Sequence, residues 1–316
     1  MPSVGGLLGA RWSYHGPPES FRLSMNRSRP KQVMFGASCG AKQGCRMGAV
    51  SKQFEMGRMT IDLEQPVIDV GWHANGDYLL TLTKPVLSAQ LKSKNVHRLM
   101  LHRVSKLLSQ SPFTQESLAF TSEEWRHASF HEEGKPLLFV ASSSNCRVFD
   151  LLALKELRNM RLEGTCREKL SAMGLHHSGN HLVLGTFEGQ FNWFDQELGN
   201  LAFKKLKLNH GAVRQIHWHK KRPLISCAND DGTLLILHAT LPVNELDKAT
   251  IIPVQLIRTT NVANPLSLSD DQQETEISQE KRKHMTSAFS TVFHNFLPNV
   301  YAGLADGTIR QFVPWH

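Results

Sequence analysis

The chain has 316 residues, 41% of them hydrophobic and 20% charged, enough apolar material for a substantial core and too much for a wholly disordered protein. No apolar run approaches the roughly 18 residues of a membrane span, so no membrane role is expected. The five cysteines (Cys39, Cys45, Cys146, Cys166, Cys227) are odd in number and scattered, unlike a secreted disulfide framework. The net charge of +8 is unevenly placed. Residues 1–53 carry eight Lys/Arg and a single acid, Glu19; the other 263 residues carry 28 basic and 27 acidic groups. The basic character therefore belongs to the N-terminal stretch and does not mark the body as a nucleic-acid-binding domain.

Residues 1–53 show no sustained period and are rich in Gly, Ser, Arg and Met, as in Asn26-Arg27-Ser28-Arg29-Pro30-Lys31. Three readings stay open: a disordered basic tail, a targeting segment, or a mis-started gene segment. In each, little regular structure is expected. Residues 54–61 read as a remnant strand of a preceding unit.

From residue 54 short apolar runs alternate with turn signals. One element recurs five times, an apolar residue followed by histidine and a turn: Trp72-His73, Phe130-His131, Leu175-His176, Trp218-His219 and Phe293-His294. The spacings between these histidines are 58, 45, 43 and 75 residues. Two of the four match the roughly 40–45-residue period of a WD-type propeller blade, and insertions lengthen the others. Thirteen residues after the histidine, three units carry an acidic-Gly turn: Glu188-Gly189, Asp231-Gly232 and Asp306-Gly307. Ser144-Asn145 takes that place in the second unit. Such pairs supply the positive φ of a tight hairpin. The unit is strand, His turn, strand, acidic-Gly turn, strand, with a weakly marked fourth strand. An all-β, WD-repeat β-propeller over residues 54–316 is expected, with about five recognisable blades. Residues 105–122 bridge the first two units. Residues 259–286, containing Asp270-Asp271-Gln272-Gln273-Glu274, form a polar surface insertion.

The chemistry-bearing residues point away from catalysis. The sixteen histidines suggest a metal only at His217-Trp218-His219, where no third ligand lies at metal spacing. Cys39 and Cys45 lack a His partner. No nucleophile elbow, Walker loop or dinucleotide fingerprint is present. Asp230-Asp231 is explained by its turn. No cofactor, metal or catalytic residue is expected. The five turn histidines read as structural, donating to backbone in each blade. Lys220, Lys221 and Arg222 in the turn after His219 are candidates for RNA phosphate contact, against the plainer reading of a solubilising cluster.

The fourth unit runs His210-Gly211-Ala212-Val213-Arg214, His219, Pro223-Leu224, Asp230-Asp231-Gly232 and His238, then Ile252-Pro253-Val254-Gln255-Leu256. With Gly76-Asp77-Tyr78-Leu79, Ser109-Gln110-Ser111-Pro112-Phe113 and Ala305-Asp306-Gly307-Thr308-Ile309-Arg310, it resembles the propeller of the Erb/Bop (block of proliferation) family of ribosome-biogenesis proteins. The resemblance covers about residues 54–313. It implies the C-terminal propeller portion of a domain usually described as seven-bladed. It further implies a non-enzymatic scaffold in large ribosomal subunit assembly, with Pescadillo and a Ytm-type WD-repeat protein as partners. Pre-ribosomal particles, precursor rRNA and a nuclear location, nucleolar and nucleoplasmic, belong to the same implication. The competing class is a WD-repeat adaptor in a ubiquitin ligase or in trafficking, which the fold alone permits.

Overall fold

The computed structural model describes residues 20–25, 32–39, 42–50, 56–62, 67–83, 98–103, 116–118, 124–153, 155–162, 169–196, 199–208, 211–241, 250–259, 288–304 and 308–313. All regular elements among them are strands. The first sheet holds β1 (Ser20–Met25), β2 (Gln32–Cys39), β3 (Lys42–Val50) and β4 (Met56–Asp62). The second holds β5 (Val67–Trp72), β6 (Tyr78–Thr83), β7 (Arg98–Arg103) and β8 (Glu116–Leu118). The third holds β9 (Trp125–Phe130), β10 (Leu137–Ser142), β11 (Asn145–Asp150) and β12 (Lys155–Arg161). The fourth is β13 (Leu170–Leu175), β14 (His181–Thr186), β15 (Gln190–Asp195) and β16 (Lys204–Lys207). The fifth is β17 (Val213–Trp218), β18 (Leu224–Asn229), β19 (Thr233–Thr240) and β20 (Thr250–Arg258). The last has three strands, β21 (Ala288–Phe293), β22 (Val300–Leu304) and β23 (Ile309–Phe312). Each sheet is an antiparallel meander, and successive sheets pack through their first strands, β1 on β5, β5 on β9, and so on to β21. This is a propeller arrangement of blades.

The five expected units each form one blade. The N-terminal stretch departs from expectation: β1 to β3 lie within residues 1–53 and join β4 in a sheet of their own. The boundary drawn at residue 53 therefore cuts through that sheet. Its physical basis is a short period-two alternation, Phe21, Leu23 and Met25 against Ser20, Arg22 and Ser24, which the surrounding Gly and Arg obscure. Residues 54–61 fall largely on β4, the outer strand of this preceding sheet. The fourth strand of each later blade is present in four of the five, with β8 inside the 105–122 bridge. Residues 260–286 of the polar insertion lie outside the described residues.

The blades have no private cores. Adjacent residues of a second strand point to opposite sides of the sheet. Leu138 and Val140 thus join Leu80, Leu82 and Trp125, while Phe139 and Ala141 join Leu182, Leu184 and Phe194. Likewise Val183 packs with Ile216, Trp218 and Cys227, and Ala228 packs with Phe293 and Ala302. Each apolar cluster is shared between two consecutive sheets. Second strands are therefore buried on both faces and read as unbroken apolar runs, as in Leu182-Val183-Leu184. Outer strands such as β16 are exposed and lysine-rich, which blunts them against edge pairing. In all five blades from β5 onward the register between first and second strands slips once, between the first and third residues of the first strand (Val67/Asp69, Leu170/Ala172, Val213/Gln215, Ala288/Ser290, and at the matching place beside Trp125). This repeated β-bulge adds local twist.

Candidate functional site: histidine turns and a basic loop

The histidine that ends each first strand turns the chain. Its Nδ1 accepts backbone N–H groups from the turn it begins. His73 takes Asn75 (3.3 Å), His131 takes Glu133 (3.1 Å), and His176 takes Ser178 (3.3 Å). His219 takes both Lys221 (3.0 Å) and Arg222 (3.1 Å), and His294 takes Phe296 (3.2 Å) and Leu297 (3.1 Å). The five side chains thus occupy equivalent places. An accepting Nδ1 leaves the proton on Nε2. In two blades that proton ties the turn to the next blade: His131 Nε2–H donates to Ser178 O (2.9 Å) and His219 Nε2–H to Leu297 O (3.2 Å). All five histidines accept within their own turn, and His131 and His219 also donate to backbone, across the blade boundary.

Burial favours the neutral imidazole these bonds require. It pushes His131 and His219 below the ordinary value, against the opposing effect of their carbonyl partners. His176 falls to about 4, through burial first and then its neighbours His177 and His181. His102, buried against Thr81 Oγ1 (2.7 Å), also falls to about 4 through burial.

The second turn element closes hairpins. Gly189 (φ 78°) and Gly232 (φ 75°) adopt the left-handed conformation, donating to Thr186 O and Asn229 O. Asp231 Oδ1 accepts from Thr233 N (3.0 Å) and Thr233 Oγ1 (2.6 Å), a turn-capping role. Its neighbour Asp230 is held by Arg214. In the second unit Ser142 Oγ accepts Ser144 N and Asn145 N in the same place. Asp306 and Gly307 lie outside the described residues.

Lys220, Lys221 and Arg222 are exposed, in the turn closed by His219. Lys221 Nζ sits 4.5 Å from the centroid of Phe296, an exposed ring (63%) beside the half-exposed Leu297 (50%) of the next blade's turn. Three cations and two apolar side chains thus share one end of the last two blades. Such a surface can dock phosphate or protein. No reacting constellation accompanies it; among the described residues no three His, Cys, Asp or Glu groups come together as metal ligands.

Two features were missed in the sequence. At the opposite end of the first strands, Arg126 and Arg214 both lie over Phe187 (5.1 and 5.9 Å), and Arg214 also lies over Phe289 (5.6 Å). The third residue of the first strand also ties sheets together: Asp69 accepts Ala128 N (3.1 Å), His127 Nε2 meets Ser171 O (2.9 Å), and Gln215 accepts Thr291 N (2.9 Å). Alignment on the turn histidine would have exposed this place, but the residue types differ too much to attract notice.

No family model matches the chain. Among curated proteins it is similar to the ribosome biogenesis protein BOP1 of Mus musculus (28% identical over 255 residues, 81% of this chain and 30% of the relative). It is also similar to the BOP1 homolog of Anopheles gambiae (28% over 255 residues, 81% and 25%) and to the ribosome biogenesis protein ERB1 of Saccharomyces cerevisiae (33% over 215 residues, 67% and 24%). The chain thus spans between 24% and 30% of the length of these relatives. Among solved structures, the β-propeller domain of Cps50 (Swd1) from Myceliophteria thermophila matches with a TM-score of 0.61 at 12% identity, covering 95% of this chain and 86% of that one. The chain is a homologue of the BOP1 and ERB1 proteins with the fold of a WD-type β-propeller.

Proposed function

We propose that this chain, as a BOP1/ERB1 homologue, is a non-catalytic scaffold in ribosome biogenesis that works by holding partners on its blade ends. The observation that carries the reading is the similarity to BOP1 and ERB1 proteins, 28% to 33% identical across 67% to 81% of the chain. It acts in the nucleus, in nucleolus and nucleoplasm, on particles maturing toward the large subunit. There it supports processing of the precursor of the large-subunit rRNAs, alongside Pescadillo and a Ytm-type WD-repeat protein. Lys220, Lys221 and Arg222 are its RNA contact. The chemistry supports this: the cations are exposed, and Phe296 offers a ring beside them for base stacking.

Affinity purification of the tagged chain tests the reading. Recovery of precursor large-subunit rRNA with Pescadillo and the Ytm-type protein is expected. Recovery of ubiquitin-ligase or vesicle-coat subunits without precursor rRNA overturns it in favour of an adaptor. For the basic loop, the triple change Lys220→Ala, Lys221→Ala, Arg222→Ala is compared with the parent on single-stranded RNA over a salt series. Loss of three phosphate contacts flattens the log–log salt slope by about 2. An unchanged slope removes the loop from the interface.

A further inference from the structure

Two neighbouring histidine turns are built alike and tied together. In the fifth sheet His219 N donates to Leu224 O (2.8 Å), and in the last sheet His294 N donates to Asn299 O (2.9 Å), so each turn is closed at its base. Inside, each histidine Nδ1 accepts two N–H groups, those of Lys221 and Arg222 in one turn and of Phe296 and Leu297 in the other. A proline, Pro223 or Pro298, stands four residues after each histidine and fixes φ there. His219 Nε2–H then donates to Leu297 O (3.2 Å), which joins one turn to the other. The result sets Lys221 Nζ 4.5 Å from the ring centroid of Phe296, while 63% of that residue stays exposed.

Charge and shape both single out this pair of turns. The turn at 73–78 carries Asp77, and that at 131–137 carries Glu132 and Glu133 against Lys135, acids that repel phosphate. The turn at 176–181 has no Lys or Arg. Those at 219–224 and 294–299 together hold three cations, Lys220, Lys221 and Arg222, and no acid. A ring with an ammonium on one face can take a flat π-system on the other. Bases inside a duplex are stacked on one another, so only an unpaired base can offer its face to a side chain. An exposed ring beside a phosphate-binding cluster is therefore of use to a single strand and of none to a duplex. An acidic peptide would engage the cations and leave the ring idle.

We infer that the two turns form one site for an unpaired nucleotide, its base stacked on Phe296 and its flanking phosphates on Lys220, Lys221 and Arg222, with His219 positioning ring against cations. The inference rests on the RNA reading above and narrows it to single strands. The test is fluorescence anisotropy of a labelled mixed-sequence RNA, titrated with the full chain as a single strand and again annealed to its complement. Tighter binding of the single strand is expected. Phe296→Leu weakens single-strand binding at least about fivefold. It leaves duplex binding and the log–log salt slope unchanged, because no phosphate contact is lost. Phe296→Tyr, which keeps a ring, recovers the loss. His219→Asn keeps an acceptor for its own turn but cannot reach Leu297. In that background the Phe296→Leu effect falls below about twofold, the non-additivity expected of a residue that places the ring. Full additivity overturns the role of His219. Equal affinity for single strand and duplex, or a Phe296→Leu chain that binds single strands as tightly as the parent, overturns the inference while the RNA reading stands. Binding of neither RNA overturns both, and capture of a labelled polyglutamate peptide in its place reassigns the turns to an acidic protein.

Discussion

Replacing His131 by alanine separates the two jobs assigned to the turn histidine. The side chain is 1% exposed, accepts Glu133 N at 3.1 Å and donates to Ser178 O at 2.9 Å on the next blade. Each backbone group left without its partner costs about 1–3 kcal/mol when buried. Glu133 is exposed, so water replaces the first bond cheaply, whereas Ser178 is half-buried. The lost ring adds a small void, because Gly179 packs so closely that a Cβ there would lie 2.0 Å from His131 Nε2. His131→Ala is therefore expected to cost about 2–3 kcal/mol. His131→Asn keeps an acceptor for Glu133 N but cannot reach Ser178, and is expected to cost about 1–2 kcal/mol. Urea unfolding of the full chain, held well above the imidazole range, measures both. A loss below about 0.5 kcal/mol for alanine is the size of an ordinary surface change and refutes the tie. Equal losses for Asn and Ala refute the division between local and inter-blade bonds.

Three further outcomes are expected. His102 and His176 titrate near 4 in the fold against an ordinary 6.5, so their contribution is complete above 6.5 and is lost as pH falls toward 4, up to about 3 kcal/mol each; a urea midpoint that stays flat across that window contradicts the burial of neutral rings. Gly174→Val drives a side chain into Ile216, whose Cγ2 and Cβ lie 2.5 and 2.8 Å from the new Cβ, costing about 1–3 kcal/mol, and the double change with Ile216→Ala recovers part of it; simple additivity in the cycle argues against that contact. Cys146 and Cys227 are fully buried and burial pushes their thiols up, Cys146 to about 12, so mass spectrometry after maleimide treatment finds them unmodified until the chain unfolds; labelling in the native state counts against the shared cores.

The blade repeat was legible because its marks are local. A histidine that must accept turn N–H groups, and a glycine that must take positive φ at residues 189 and 232, recur at fixed spacing whatever the strands contain. Second strands were legible as apolar runs because both faces are buried. The N-terminal sheet was not legible, since its strands mix Gly, Ser and Arg with a weak alternation, and pairing is decided by partners distant in the chain. Outer strands were faint for a related reason: exposure removes the apolar mark, leaving Lys204-Lys205-Leu206-Lys207 to look like a loop. The ties at Asp69, His127 and Gln215 use a carboxylate, an imidazole and an amide for comparable reaches, so chemistry is kept while residue type is lost.

The inter-blade ties share a direction that bears on function. His131 and His219 each reach from one turn to the next blade's turn, and Asp69 and Gln215 reach the same way from mid-strand. These four side chains hold sheet to sheet, whereas Asp230, paired with Arg214, and Asp231, which accepts Thr233 N, act within the fifth blade. Exposed apolar side chains occur on several blades, among them Leu152, Leu157, Leu201 and Phe296, and at Phe296 and Leu297 they adjoin the exposed Lys220–Arg222 loop. Groups already saturated by backbone partners are poor acids, bases or nucleophiles, whereas exposed cations beside apolar side chains are suited to binding.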